Sequence, residues 1–98
     1  MSDFLETRYE KDPSVVYRQI AGEAILVPIR QRTADLDGIY TLNDTGATIW
    51  GLLDGKRSLR EIATLLAAEY DVSSDVAEAD LVELIQQLES LACVTRIE

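Results

Sequence analysis

Asn43-Asp44-Thr45-Gly46-Ala47-Thr48-Ile49-Trp50-Gly51-Leu52-Leu53-Asp54-Gly55-Lys56-Arg57-Ser58-Leu59-Arg60-Glu61-Ile62-Ala63 contains two helix starts and a helix stop in one short stretch. Asn43 is a good N-cap, because its side-chain oxygen accepts a hydrogen bond from a free N–H of the first turn. Gly46, Ile49, Trp50 and Leu53 then fall at i, i+3, i+4 and i+7, one apolar face of a helix, which makes Trp50 a core residue. Asp54-Gly55 stops that helix, since Gly tolerates the left-handed conformation past a helix end. Ser58-Leu59-Arg60-Glu61 reads as a capping box and opens a second helix. Its stripe is Leu59, Ile62, Ala63, Leu66 and Tyr70.

Outward from this stretch the texture changes in both directions. Towards the C-terminus, Asp71 to Ser74 is a turn with Ser73 or Ser74 as the next N-cap. A long third helix follows, with Ala77, Leu81, Leu84, Ile85, Leu88 and Leu91 on one face. Cys93 to Ile97 is suited to a short closing strand. Towards the N-terminus, Val15–Ile20 and Ala24–Ile29 are rich in β-branched residues, with Ala21-Gly22-Glu23 as a hairpin break. A polar loop from Arg30 ends in the turn dipeptide Asp37-Gly38, and Ile39–Leu42 makes a third short strand. Residues 1–12 are charged and aperiodic and read as a loose lead-in, so the domain is expected to span residues 13–98.

The expected fold is therefore α+β: three N-terminal antiparallel strands, then three helices, each burying one face against its neighbours. The succession resembles a winged helix-turn-helix. The 98 residues suit one domain with one core, and 47% hydrophobic composition is enough to build it.

Composition excludes more than it suggests. The chain has no histidine, which removes the commonest general base and zinc ligand. Its one cysteine, Cys93, has no histidine to activate it and follows the last core leucines, so it reads as a small buried hydrophobe. Asp35-Leu36-Asp37-Gly38 lacks the remaining ligands of a calcium loop, and no glycine-rich phosphate cradle is present. No enzyme, metal or cofactor is expected. With 9 basic and 18 acidic residues the formal charge is −9. Asp71 to Ala92, where a helix-turn-helix would read DNA, holds Asp71, Asp75, Glu78, Asp80, Glu83 and Glu89 and not one Lys or Arg. Acids facing a polyanion weaken binding, so a nucleic-acid partner is not expected. No apolar run approaches membrane length and no signal peptide is visible, so the cytoplasm is expected.

The residues from Tyr40-Thr41-Leu42-Asn43 through Ile49-Trp50, then Asp54-Gly55-Lys56-Arg57 and Glu61-Ile62-Ala63, succeed one another as in the PqqD family. Asp80-Leu81, Leu84-Ile85-Gln86-Gln87-Leu88, Leu91 and Val94 continue the likeness. The resemblance implies a non-catalytic carrier for the leader segment of a ribosomally made precursor peptide. It further implies presentation of that peptide to a modifying enzyme, often a radical SAM protein, as in pyrroloquinoline quinone synthesis or unrelated peptide pathways. In such members the leader adds as an extra strand in a groove between the third strand and the last helix. Carried onto this chain, the strand side is Ile39, Tyr40, Thr41 and Leu42. From the helical spacing, Ala79, Val82 and Gln86 lie off the core stripe and are expected to line the other wall. The alternatives are a winged-helix DNA-binding protein and a structural subunit of a larger complex.

Overall fold

A computed structural model describes residues 4–28 and 40–97. After a 3-10 turn at Phe4–Glu6 the elements are β1 (Arg8–Lys11), β2 (Val15–Ile20), β3 (Glu23–Pro28), β4 (Tyr40–Leu42) and α1 (Asp44–Leu52). They continue with β5 (Asp54–Ser58), α2 (Leu59–Tyr70), α3 (Ser74–Ser90) and β6 (Val94–Ile97). The α+β class and the strand-then-helix order hold. Ile39 and the polar loop before it lie outside the described residues.

The expected meander is present, in the order β2-β3-β4, with Val15 opposite Pro28, Ile20 opposite Glu23, and Ala24, Ile25 and Leu26 opposite Leu42, Thr41 and Tyr40. The hairpin closes through Ala21 and Gly22, both at positive φ (53° and 83°). That pair of left-handed residues matches strand twist, and it is the reason a Gly stands there. Among the described residues β4 is an edge strand.

A second sheet, ordered β5-β1-β6, was not expected beyond its closing strand. The reading of residues 1–12 as a loose lead-in is corrected here. Arg8–Lys11 is the central strand of that sheet, pairing antiparallel with both β5 and β6. The physical reason is that Arg8-Tyr9-Glu10-Lys11 sends a single apolar side chain, Tyr9, into the core, which leaves no period-2 pattern to read. Tyr9 is 1% exposed, meets Phe4 edge-on at 6.3 Å between ring centres, and donates its hydroxyl to Glu89 Oε2 at 3.2 Å.

The helix starts are as written in the sequence, but α1 ends on Leu53, whose N–H reaches Trp50 O, before the expected stop at Asp54-Gly55. Asn43 Oδ1 accepts from the Gly46 N–H at 2.8 Å. Ser58 and Glu61 form a reciprocal capping box, at 3.2 Å and 2.8 Å. Ser73 caps α3. Gly55 is left-handed (φ 77°) but lies inside β5, where the Asp54 carboxylate folds the turn by accepting the N–H groups of Lys56 and Arg57. The end of α3 is a Schellman turn: Cys93 N–H reaches Leu88 O at 2.8 Å, Ala92 N–H reaches Glu89 O at 3.0 Å, and Ala92 is left-handed (φ 59°).

One core joins these parts. Leu26 and Leu42 from the first sheet, Ile49, Trp50, Leu53, Leu59, Ile62, Leu66, Leu81, Ile85 and Leu88 from the region of the helices, and Tyr9, Cys93 and Val94 are all buried. Trp50 and Cys93 are core residues, as expected. Two members of the predicted α3 stripe are not. Leu91 is exposed at the helix cap, and Leu84 is only half-buried, on the flank that faces β4.

Candidate functional site

The site is built from an unpaired backbone and a helix flank. Among the described residues β4 pairs with β3 alone, which leaves alternate N–H and C=O groups along its other edge without a strand partner there. Thr41 is exposed there, Tyr40 half-buried, and Leu42 points into the core. Immediately after it the chain turns into α1, a turn made tight by Gly46. A Cβ at position 46 would lie 3.2 Å from both Leu42 Cδ2 and Asn43 Oδ1. Tyr70 of α2 fastens this corner, its hydroxyl lying 3.3 Å from Asp44 O and 2.7 Å from Thr48 Oγ1.

Between β4 and α3 runs a groove of about 840 Å³. Its β4 wall is Tyr40, Thr41 and Leu42. Its α3 wall is Asp80, Glu83, Leu84 and Gln87, and Ile49 forms part of its lining. The Tyr40 hydroxyl donates to Gln87 Oε1 across the groove. Burial pushes the Tyr40 phenol above its ordinary pKa, and the neighbouring charge of Glu83 adds to the rise. The phenol is thus a neutral donor tied to the helix.

Of the sequence-predicted site residues, Tyr40, Thr41 and Leu42 line this groove. Ala79, Val82 and Gln86 do not. They line a second depression together with Leu5, Asp75 and Glu78. At roughly 100° per residue, positions 79, 82 and 86 lie on one flank of the Leu81–Ile85–Leu88 stripe and 80, 84 and 87 on the opposite flank, while Glu83 stands on the outer face between them and lines both depressions. Periodicity alone identifies both flanks as non-core and cannot say which one meets a sheet edge. The signal that separates them was Leu84, an apolar residue displaced to one side of the stripe among acids.

Among the described residues no group of three His, Cys, Asp or Glu side chains is arranged to hold a metal. No described helix is long and apolar enough to cross a membrane.

Comparison with known proteins now bears on this geometry. Residues 23–94 match the family model described as coenzyme PQQ synthesis protein D (PqqD). Among solved structures, the chain is similar to TbiB1 in complex with the TbiA(beta) leader peptide, with TM-score 0.70, 26% identity, and coverage of 87% of this chain and 93% of that one. It is also similar to lasso peptide synthetase B1 complexed with the leader peptide, with TM-score 0.73, 26% identity, and coverage of 90% and 98%. A likeness of fold extends to the PqqD truncation of Methylobacterium extorquens PqqCD, a stand-alone RiPP recognition element, with TM-score 0.70, 20% identity, and coverage of 90% and 88%. No curated protein sequence matches.

Proposed function

Since this chain belongs to the PqqD family, we propose that it is a non-catalytic recognition module that binds the leader segment of a ribosomally made precursor peptide. The leader adds as a strand along the open edge of β4 and fills the groove against α3. A modifying enzyme, of radical SAM type, then acts on the held precursor in the cytoplasm. The observation that carries this reading is the free β4 edge facing a groove on the flank of α3, in a chain 26% identical to two structures that contain leader peptides.

Strand addition draws its affinity from main-chain hydrogen bonds and its selectivity from the pockets that alternate side chains enter. The groove supplies both: the edge of β4, and a wall where Leu84 lies among polar groups. α3 has no Lys or Arg along its length, and among the described residues the groove lining has none, which disfavours a nucleic-acid backbone as its ligand.

The test is calorimetric titration with the leader of the precursor encoded beside the gene. Because N–H direction alternates along a strand, one of Tyr40→Pro and Thr41→Pro removes an outward donor and the other breaks a rung with β3. The first is expected to keep its melting temperature and bind several-fold more weakly, a backbone hydrogen bond being worth about 0.5–1.5 kcal/mol. Failure of the wild-type protein to bind the leader overturns the function. Unaltered affinity in a folded proline variant of each kind overturns the β4 edge as the site.

A further inference from the structure

The acids of this protein fall into two groups. Many are occupied by structural work. Glu61 closes the capping box, Glu6 lies 2.7 Å and Glu78 3.9 Å from the Arg60 guanidinium, Asp54 pairs with Arg57 at 2.8 Å, and Glu89 accepts from Tyr9. Asp80 and Glu83 have no such role: among the described residues neither has an ion-pair or hydrogen-bond partner, and both stand on the groove wall. The opposite side adds Asp44, at the mouth of α1, and Glu23. A groove with carboxylates on both walls, and no Lys or Arg in its lining among the described residues, concentrates cations.

Resting on the peptide-binding reading above, we propose that the peptide this groove accepts carries a lysine or arginine that Asp80 and Glu83 receive. The spacing follows from the two lattices that meet there. Along α3, Leu84 and Asp80 are one turn apart, about 6 Å at 1.5 Å per residue. In a strand, side chains on one face repeat every two residues, about 6.6 Å. A strand lying along the helix therefore sets an apolar side chain against Leu84 and a basic one, two positions away, against Asp80 and Glu83. The selected pattern is apolar–any–basic on the helix-facing side, in either chain direction. Gln87 and the Tyr40 hydroxyl bound the far end with neutral polar groups.

A phage-displayed library of random linear 12-residue peptides, panned against the full-length protein, reads this directly. Lys or Arg is expected at one fixed position, two residues from an apolar one. A selected peptide should lose about 3- to 10-fold in affinity against Asp80→Asn/Glu83→Gln, the range expected of two largely exposed ion pairs. Glu69→Lys changes net charge by the same amount away from the groove and should lose little. Raising salt from about 0.05 to 0.5 M should erase the difference between wild type and the double variant. Selected peptides that bind through β4 but show no basic preference overturn the charge inference and leave the binding function standing. A basic preference that the double variant and Glu69→Lys weaken equally overturns it too, by tracing the attraction to the overall charge of −9. If the library yields no binders, the binding function and the inference fall together.

Discussion

Replacing Tyr9 by Ala tests the least expected part of the fold, the central strand β1. Tyr9 is 1% exposed and its ring joins the same core as Leu81, Ile85 and Leu88. Truncating a buried aromatic ring to Ala removes its transfer free energy and leaves a cavity, together about 3–5 kcal/mol. The hydroxyl adds little. Its acceptor, Glu89, is exposed and can turn to water, so losing that bond costs at most about 0.5–1.5 kcal/mol. A total near 4 kcal/mol is a large share of the roughly 5–15 kcal/mol that holds a small domain together. At about 4–8 °C per kcal/mol for a domain of this size, the melting temperature should fall by roughly 15–30 °C. Thermal and urea melts followed by circular dichroism measure it. Tyr9→Phe, which keeps the ring, should lose about 1 kcal/mol or less. A Tyr9→Ala protein within about 1 kcal/mol of wild type would refute the reasoning, by showing that β1 can leave the core at little cost and that residues 1–12 are a lead-in after all.

Two further predictions concern single turns. Ala92 holds a left-handed conformation that disfavours a Cβ by roughly 1–2 kcal/mol, so Ala92→Gly should stabilise the protein by about 1 kcal/mol in urea melts after Gly's larger unfolded-state entropy is offset; a destabilised variant would contradict the Schellman assignment. The Arg57 and Lys56 backbone N–H groups hold the Asp54 carboxyl below the usual carboxylate range. With the folded value below the unfolded one, its contribution is complete above the ordinary carboxylate pKa of about 3.9 and is lost as pH falls through the lowered value. The stability difference between wild type and Asp54→Asn should therefore shrink from about pH 6 to pH 2.5, and a constant difference would refute the assignment.

What could be read from the sequence follows how locally each feature is encoded. The caps at Asn43, Ser58 and Ser73 and the stripe Ile49–Trp50–Leu53 each place their information within a few residues, and all were legible. β1 was not, because its stability comes from partners distant in sequence, Ser58 and Asp54 on one side and Val94 to Ile97 on the other. Half of the candidate site was legible for the same reason. The β4 edge precedes a recognisable helix start, so Tyr40, Thr41 and Leu42 could be placed. The helix wall depends on how far α3 is rotated relative to β4, a tertiary quantity. Ala79, Val82 and Gln86 were the wrong flank for this groove, and the acids at 80 and 83 looked like ordinary solvated charge until the fold put a sheet edge opposite them.

The pairing of Arg8 with Ile97 sets the start of β1 beside the end of β6, since opposed residues in an antiparallel ladder have Cα atoms about 4.5–5.5 Å apart. Both strands belong to β5-β1-β6, whereas the groove belongs to β2-β3-β4 and α3, and the 3-10 turn Phe4–Glu6 ahead of β1 lies along α2, with Glu6 2.7 Å from Arg60. A partner joined by a flexible tether ahead of β1 or behind β6 is thus attached on the same sheet in either case. The local concentration it experiences near a held peptide depends on tether length and hardly at all on gene order. Fusions in either order should be interchangeable once the tether is long enough to span the protein.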